Sequence, residues 1–155
     1  MIRVDKCSMK NMALLADAEI STQEFPLIGP DLKPYFADAN KDALAATITK
    51  TFVGYALVTL IDLESKVMID SIATHKNFRR KGVAKKLVES ITAKAKQKGL
   101  KVQMEVASYL IEDKTDPWNI EQWLWRAGFK AVAERPDACF RYGRNYCTYI
   151  FEKIQ

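Results

Sequence analysis

The segment Arg79-Arg80-Lys81-Gly82-Val83-Ala84 constrains the fold more than any other part of the chain, because it is wedged between an apolar run ending at Thr74 and a long amphipathic stretch. Upstream, Val67, Met68, Ile69, Ile72 and Ala73 place apolar side chains on both alternating faces, the pattern of a strand covered on most of its surface. Downstream, Val83, Leu87, Val88, Ile91 and Ala95 recur at helical spacing, with Lys85, Lys86, Glu89, Lys94, Lys96 and Lys98 on the other side and Gly99 as the stop. The first N–H groups of such a helix have no intrahelical acceptor and sit at the positive end of its dipole, so they point at an anion lying before the helix. Gly82 and Ala84 leave that approach open. The turn therefore reads as a phosphate cradle, although an ordinary strand-to-helix turn with solvated lysines uses the same residue types.

At 155 residues the chain is long enough for one core, and we read residues 1–155 as one domain. No segment approaches the run of about 20 apolar residues that a membrane span needs, and Met1-Ile2-Arg3-Val4-Asp5 lacks the apolar stretch of a secretory signal. Cys7, Cys139 and Cys147 are odd in number and lack metal-ligand spacing, which predicts reduced thiols in a cytoplasmic protein with no metal site. With His75 the only histidine, neither a zinc site nor a serine triad has its parts. The net charge is +5, and several of the positive residues crowd between Lys76 and Lys101. Nucleic acid and a phosphorylated cofactor ask for the same charge, and lysines at a helix C-terminus are favourable without either. We read this patch as a solvated face plus a cofactor site in preference to a nucleic-acid surface.

Along the chain the pattern predicts a strand at Ile2 to Lys6 and a helix from Met9 to Ile20 capped by Ser8. Residues 22 to 41, with Pro26, Gly29, Pro30 and Pro34, read as a structured loop holding a short helix at Asp31 to Ala37. Ala45 to Ile61 reads as two strands joined near Lys50-Thr51, and Asp62 to Ser65 as a turn. After a strand at Val102 to Val106 comes a polar stretch, Ile111 to Pro117, where Asp116 caps and Pro117 opens a helix running to Ala127. Phe129 to Ala133 and Tyr146 to Lys153 read as strands separated by a loop with Arg135, Pro136, Arg141, Tyr142 and Arg144.

From Ile69 to Val88 the chain resembles the acetyl-CoA-binding motif of the GNAT superfamily of N-acetyltransferases: a strand, the signature Arg/Gln-x-x-Gly-x-Gly/Ala and a helix. Here the signature is Arg79, Gly82 and Ala84. Val53-Gly54 resembles the Val-Gly pair that opens the family's third strand, Val102 to Val106 its fifth strand, and Gly128-Phe129 the Gly-Phe closing its last helix. The resemblance implies an α/β (α+β) fold, a mixed, mostly antiparallel sheet of about seven strands flanked by about four helices. It also implies acetyl-CoA as the acetyl donor, coenzyme A as product and an amine as acceptor, on a monomer or a homodimer. It is loosely similar to the subgroup that acetylates ribosomal-protein N-termini, and a peptide N-terminus, a lysine, a polyamine or a small molecule all remain open as the acceptor.

The resemblance assigns coenzyme binding to backbone groups of Ile72, Ala73 and Thr74 on the strand, where the pantetheine arm pairs like an added strand, and of Arg80, Lys81, Gly82, Val83, Ala84 and Lys85 in the turn. The Arg79 and Arg80 side chains either reach phosphates or sit in solvent. Asn119 resembles the Asn that the family places near the pantetheine, offset by two residues. Glu105, in the middle of an apolar strand and sharing a face with Gln103 and Ala107, is either the base that deprotonates the amine or half of a surface ion pair. It matches the glutamate of a Leu-Glu-Val segment in the ribosomal-protein subgroup. The family's usual acid, a tyrosine four residues before the Gly of Gly-Phe, is Leu124 here, so Tyr109, with Tyr142 and Tyr146 behind it, is the replacement unless the thiolate leaves unaided. Trp118, Trp123 and Trp125 read as core and pocket wall, and Tyr35 and Phe36 as acceptor-pocket lining or packing on the sheet edge. A non-catalytic acyl-CoA-binding or nucleic-acid-associated module on the same fold is the rival reading.

Overall fold

Apolar residues at alternate positions build the centre of the molecule, a seven-stranded sheet seen in a computed structural model that describes residues 1–8, 32–112 and 120–154. The strands are β1 (Ile2–Lys6), β2 (Lys41–Ile48), β3 (Thr51–Ile61), β4 (Lys66–Thr74), β5 (Lys101–Ala107), β6 (Phe129–Arg141) and β7 (Arg144–Lys153), in the order β1-β2-β3-β4-β5-β7-β6. Neighbours are antiparallel except β4 and β5, which are parallel and joined through a helix as such pairs require. The described residues include four helices, α1 (Pro34–Ala37), α2 (Val83–Gln97), α3 (Ser108–Glu112) and α4 (Ile120–Arg126). None of the described helices is long and apolar enough to cross a membrane.

The helical repeat read in the sequence is the one that packs. Val83, Leu87, Val88, Ile91 and Ala95 of α2 are all buried, against Leu44, Ala46, Val53, Ala56, Val58, Ile69, Val102, Met104 and Val106 of the sheet. The opposite face carries a second cluster, in which Leu32 and Tyr35 cover Ala43, Ala45, Tyr55 and Leu57. Because strand side chains alternate, Gln103, Glu105 and Ala107 lie on this second face, away from α2.

Several boundaries differ from the sequence reading. The strand expected from Ala45 begins at Lys41, since Ala43 and Leu44 are already buried on the two faces. The loop expected between Ala133 and Tyr146 is the distal part of a long hairpin, closed by Tyr142 and Gly143 at φ 54° and 75°. Its residues lack alternation because they are mostly exposed, and Pro136 sits where pairing shifts between Arg135 and Cys139, a place a strand tolerates proline. The stretch read as polar from Ile111 begins inside α3. Trp125 is no wall of the core, being 78% exposed, whereas Trp123 is partly buried and packs on it. The helix at Met9 to Ile20, Asp116, Pro117, Trp118 and Asn119 lie outside the described residues.

Candidate active site

The basic turn takes its shape from positive φ at two residues, Arg80 (66°) and Gly82 (83°). Gly82 precedes α2, and a Cβ added there would meet nothing within 4 Å, so the space before the helix is open. The first bond of the ladder runs from Lys86 N–H to the Gly82 carbonyl at 3.0 Å, which leaves the N–H groups of Val83, Ala84 and Lys85 ahead of the ladder's first donor. Arg79 folds back, its Nε donating to the Thr74 carbonyl at 3.4 Å, and the Lys81 ammonium lies 5.5 Å from the centre of the Phe78 ring. Arg79, Arg80, Lys81 and Lys85 are exposed, while Val83 is in the core.

Gly54 brings this turn against the sheet. It pairs with Thr74, and a Cβ on it would lie 2.8 Å from both the Ala73 carbonyl oxygen and Val83 Cγ1. The Val-Gly pair legible in the sequence thus has a steric cause.

The parallel pairing of β4 with β5 covers four register pairs and ends at Ile69 and Met104. Beyond that point β4 continues to Thr74 on β3 alone, and β5 continues to Ala107 on β7 alone. The two strands therefore diverge, and Ile72, Ala73 and Thr74 border a wedge that opens toward the basic turn. Asp70 is the extra residue of a bulge against Leu57 and Val58 and stands at the apex.

Glu105 is the first residue of β5 past the apex. The Arg135 guanidinium donates from Nη1 to Oε1 at 2.7 Å and to Oε2 at 3.0 Å, and the Thr148 hydroxyl donates to Oε2. Of the two alternatives for this carboxylate, the ion pair is present. The Glu105 side chain is nevertheless only 26% exposed, against 61% for Arg135. Sequence reading missed Arg135 and Thr148 as partners because one lay in the supposed loop and the other is an unremarkable strand threonine.

Tyr109, in α3, packs edge-on against Tyr142 at 5.6 Å and Tyr146 at 5.0 Å between ring centres, so the three tyrosines named from sequence form one cluster. Arg144 stacks on the outer member, 4.4 Å from the Tyr146 ring centre. Leu124, where the family's usual tyrosine stands, is fully buried in the core. On β7, the hydrogen bond with the Cys147 thiol, followed by the charge interaction with it, raises the Tyr149 phenol above the usual range. A second polar group went unrecognised: Asp70 Oδ2 accepts from the Tyr35 hydroxyl at 2.6 Å and from the Thr59 hydroxyl, and Lys41 Nζ donates to Thr59 Oγ1 at 2.8 Å. Tyr35 is thus both sheet packing and part of the apex. Among the described residues, no group of three or more His, Cys, Asp or Glu side chains is placed to hold a metal ion.

Residues 11–111 match the Acetyltransferase (GNAT) family. The chain belongs to that family. Membership classes the protein as an acyltransferase, and the diverging strands, the Gly82 turn and α2 are its GNAT core. No curated protein matches the chain significantly by sequence. Among solved structures, the GNAT fold here is similar to that of the ribosomal-protein-S18-alanine N-acetyltransferase from Escherichia coli, with a TM-score of 0.77 at 13% identity over 99% of this chain and 93% of that one. It is similar also to NAA60 from Arabidopsis thaliana in complex with acetyl-CoA, with a TM-score of 0.81 at 12% identity over 98% and 97%. A third is a spermidine N-acetyltransferase SpeG chimera from Vibrio cholerae and hSSAT, with a TM-score of 0.75 at 11% identity over 99% and 95%. At these identities the likeness concerns the fold.

Proposed function

We propose that the whole chain acts as one domain that moves an acetyl group from acetyl-CoA to a primary amine by direct transfer at the β4/β5 wedge. The observation that carries this is the ending of β4–β5 pairing at Ile69 and Met104, with an open, positively ended helix start at Gly82 beyond the far end of β4. The fit to the coenzyme is physical: the β5-facing edge of β4 at Ile72 to Thr74 pairs with no strand, which suits the amide groups of a pantetheine arm once Arg79 gives up the Thr74 carbonyl. The N–H groups of Val83, Ala84 and Lys85, with Arg79, Arg80 and Lys81 around them, suit a pyrophosphate. The relative solved with acetyl-CoA supports the same donor.

Acetyl-CoA supplies the activated thioester. The amine nitrogen attacks its carbonyl carbon, a C–N bond forms and the C–S bond breaks, so one proton must leave the nitrogen and one must reach the sulfur. Glu105 is the assigned acceptor of the first. Its oxygens are held by Arg135 and Thr148, so it receives the proton through a water or after Arg135 moves. Tyr109 is the assigned donor of the second, with Tyr142 and Tyr146 packed against it. An α-amine, with a pKa of about 8, is easier to deprotonate than a lysine at about 10.4, and a protein N-terminus is one such acceptor.

The test is free-thiol release from acetyl-CoA in the presence of peptides, lysine peptides, polyamines and amino acids. Release with one class establishes the transferase and names its acceptor. The Glu105→Gln protein is expected to lose about 100-fold in kcat with little change in acetyl-CoA affinity, and an unchanged kcat removes Glu105 as the base. Tight acetyl-CoA binding without release from any acceptor favours the non-catalytic module, for which the buried Leu124 speaks.

A further inference from the structure

Glu105 and Arg135 sit in direct contact just past the apex of the wedge, and the guanidinium occupies both carboxylate oxygens from the solvent side. An incoming ammonium must take this carboxylate from Arg135. A plain monoamine that does so leaves the guanidinium without the carboxylate it holds here. A polyamine fares worse, because further cations, Arg141 and Arg144, stand on the same hairpin as Arg135. Glu134, the adjacent acid on the hairpin, faces the other side of the sheet by strand alternation and cannot take over the guanidinium. An acceptor that carries its own carboxylate near the amine replaces one ion pair by two: its ammonium goes to Glu105 and its carboxylate to Arg135.

Resting on the acetyl-transfer reading above, we infer that the acceptor is a zwitterionic amino acid, with Arg135 as the residue that binds its carboxylate. The exchange is cheap in stability, because an ion pair with an exposed guanidinium contributes little to the fold. It is selective, because a guanidinium presents paired donors that match a carboxylate and not an amide. Arg135 thus covers the base in the free enzyme and is drawn off it by the substrate that has the matching anion. Thr148 stays behind as the hydroxyl that orients Glu105.

The test compares free amino acids with their own carboxamides, and with spermidine, as acceptors for the wild-type protein, by steady-state thiol release. The carboxamide has the less basic amine and is the better nucleophile at neutral pH, so intrinsic reactivity opposes the expected result. Wild-type protein is expected to favour the amino acid in kcat/KM, and Arg135→Gln to reduce that preference by roughly 10-fold to 100-fold, mostly through KM for the acid. Arg135→Lys is expected to restore part of it. Equal use of acid and carboxamide by the wild type overturns the inference while leaving acetyl transfer intact, as does an Arg135→Gln loss that is the same on both. Thiol release from no acceptor at all overturns both. A melting curve for each variant separates a lost contact from a lost fold.

Discussion

Single positions decide how close the basic turn comes to the sheet. At Gly54 an added methyl would press on a backbone oxygen and on a core valine, both at 2.8 Å, and neither is the free end of a flexible chain. We expect Gly54→Ala to cost about 1–3 kcal/mol, read as a lower melting temperature, and to weaken acetyl-CoA binding by calorimetry because Val83 opens α2. Gly82 differs in kind. Its φ of 83° strains any side chain but open space surrounds it, so Gly82→Ala is expected to cost only about 1 kcal/mol while placing a methyl in the path of the phosphate. Cys7 gives a pH-dependent case: burial pushes its thiol up from the ordinary range. The fold therefore favours the neutral thiol. That contribution is fully present below the unfolded thiol's pKa and is lost as pH rises through the raised folded value. Alkylation at mildly alkaline pH is expected to reach the half-buried Cys139 and Cys147 well before Cys7, and equal rates would contradict this.

Elements were legible in the sequence wherever one partner dictated their period. For α2 the five buried residues were all readable, because a helix lying on a sheet must turn one stripe inward. For β4 and β5 the reading held because strand alternation, or its absence on β4, reports which faces are covered. The hairpin of β6 and β7 failed that logic. Thirteen residues of β6, nearly all exposed and carrying a proline and two shifts of register, leave no periodic trace. Its loss from the reading hid Arg135, so Glu105 was legible as an oddity but its partner was not. Helix α3 was missed for a related reason: five residues are too few to show a period, and packing beside β5 and β7 holds it. The basic turn yields a prediction at this scale. Arg79, Arg80 and Lys81 are exposed and contribute little to folding. Changing all three to Gln is expected to leave the melting temperature nearly unmoved, while acetyl-CoA affinity falls about tenfold or more and its dependence on salt flattens. A steep salt dependence that survives the triple change would assign the phosphates to other cations.

Across the whole molecule, the sheet is joined at its middle by its weakest seam. One part, β1 to β4, and the other, β5, β7 and β6, meet through four register pairs of parallel strand and through α2 with its core. A ligand lying along the free edge of β4 with its phosphates on α2 would fill the gap where that seam opens, adding hydrogen bonds that the protein cannot make with its own strands. Binding to the folded state alone stabilises it by about 2.7 kcal/mol at a ligand concentration of 100 Kd. For a chain of this length such a gain corresponds to a rise of about 5–10 °C in melting temperature. Acetyl-CoA is therefore expected to raise the melting temperature by that amount, and to slow amide exchange at Ile72 to Thr74 and at Val83 to Lys85 more than at β1 or the β2–β3 turn. Stabilisation with protection confined to the α2 start would mean that the phosphates bind and the pantetheine does not enter the wedge. Protection spread evenly over the sheet would mean that the opening between β4 and β5 is not where the coenzyme acts.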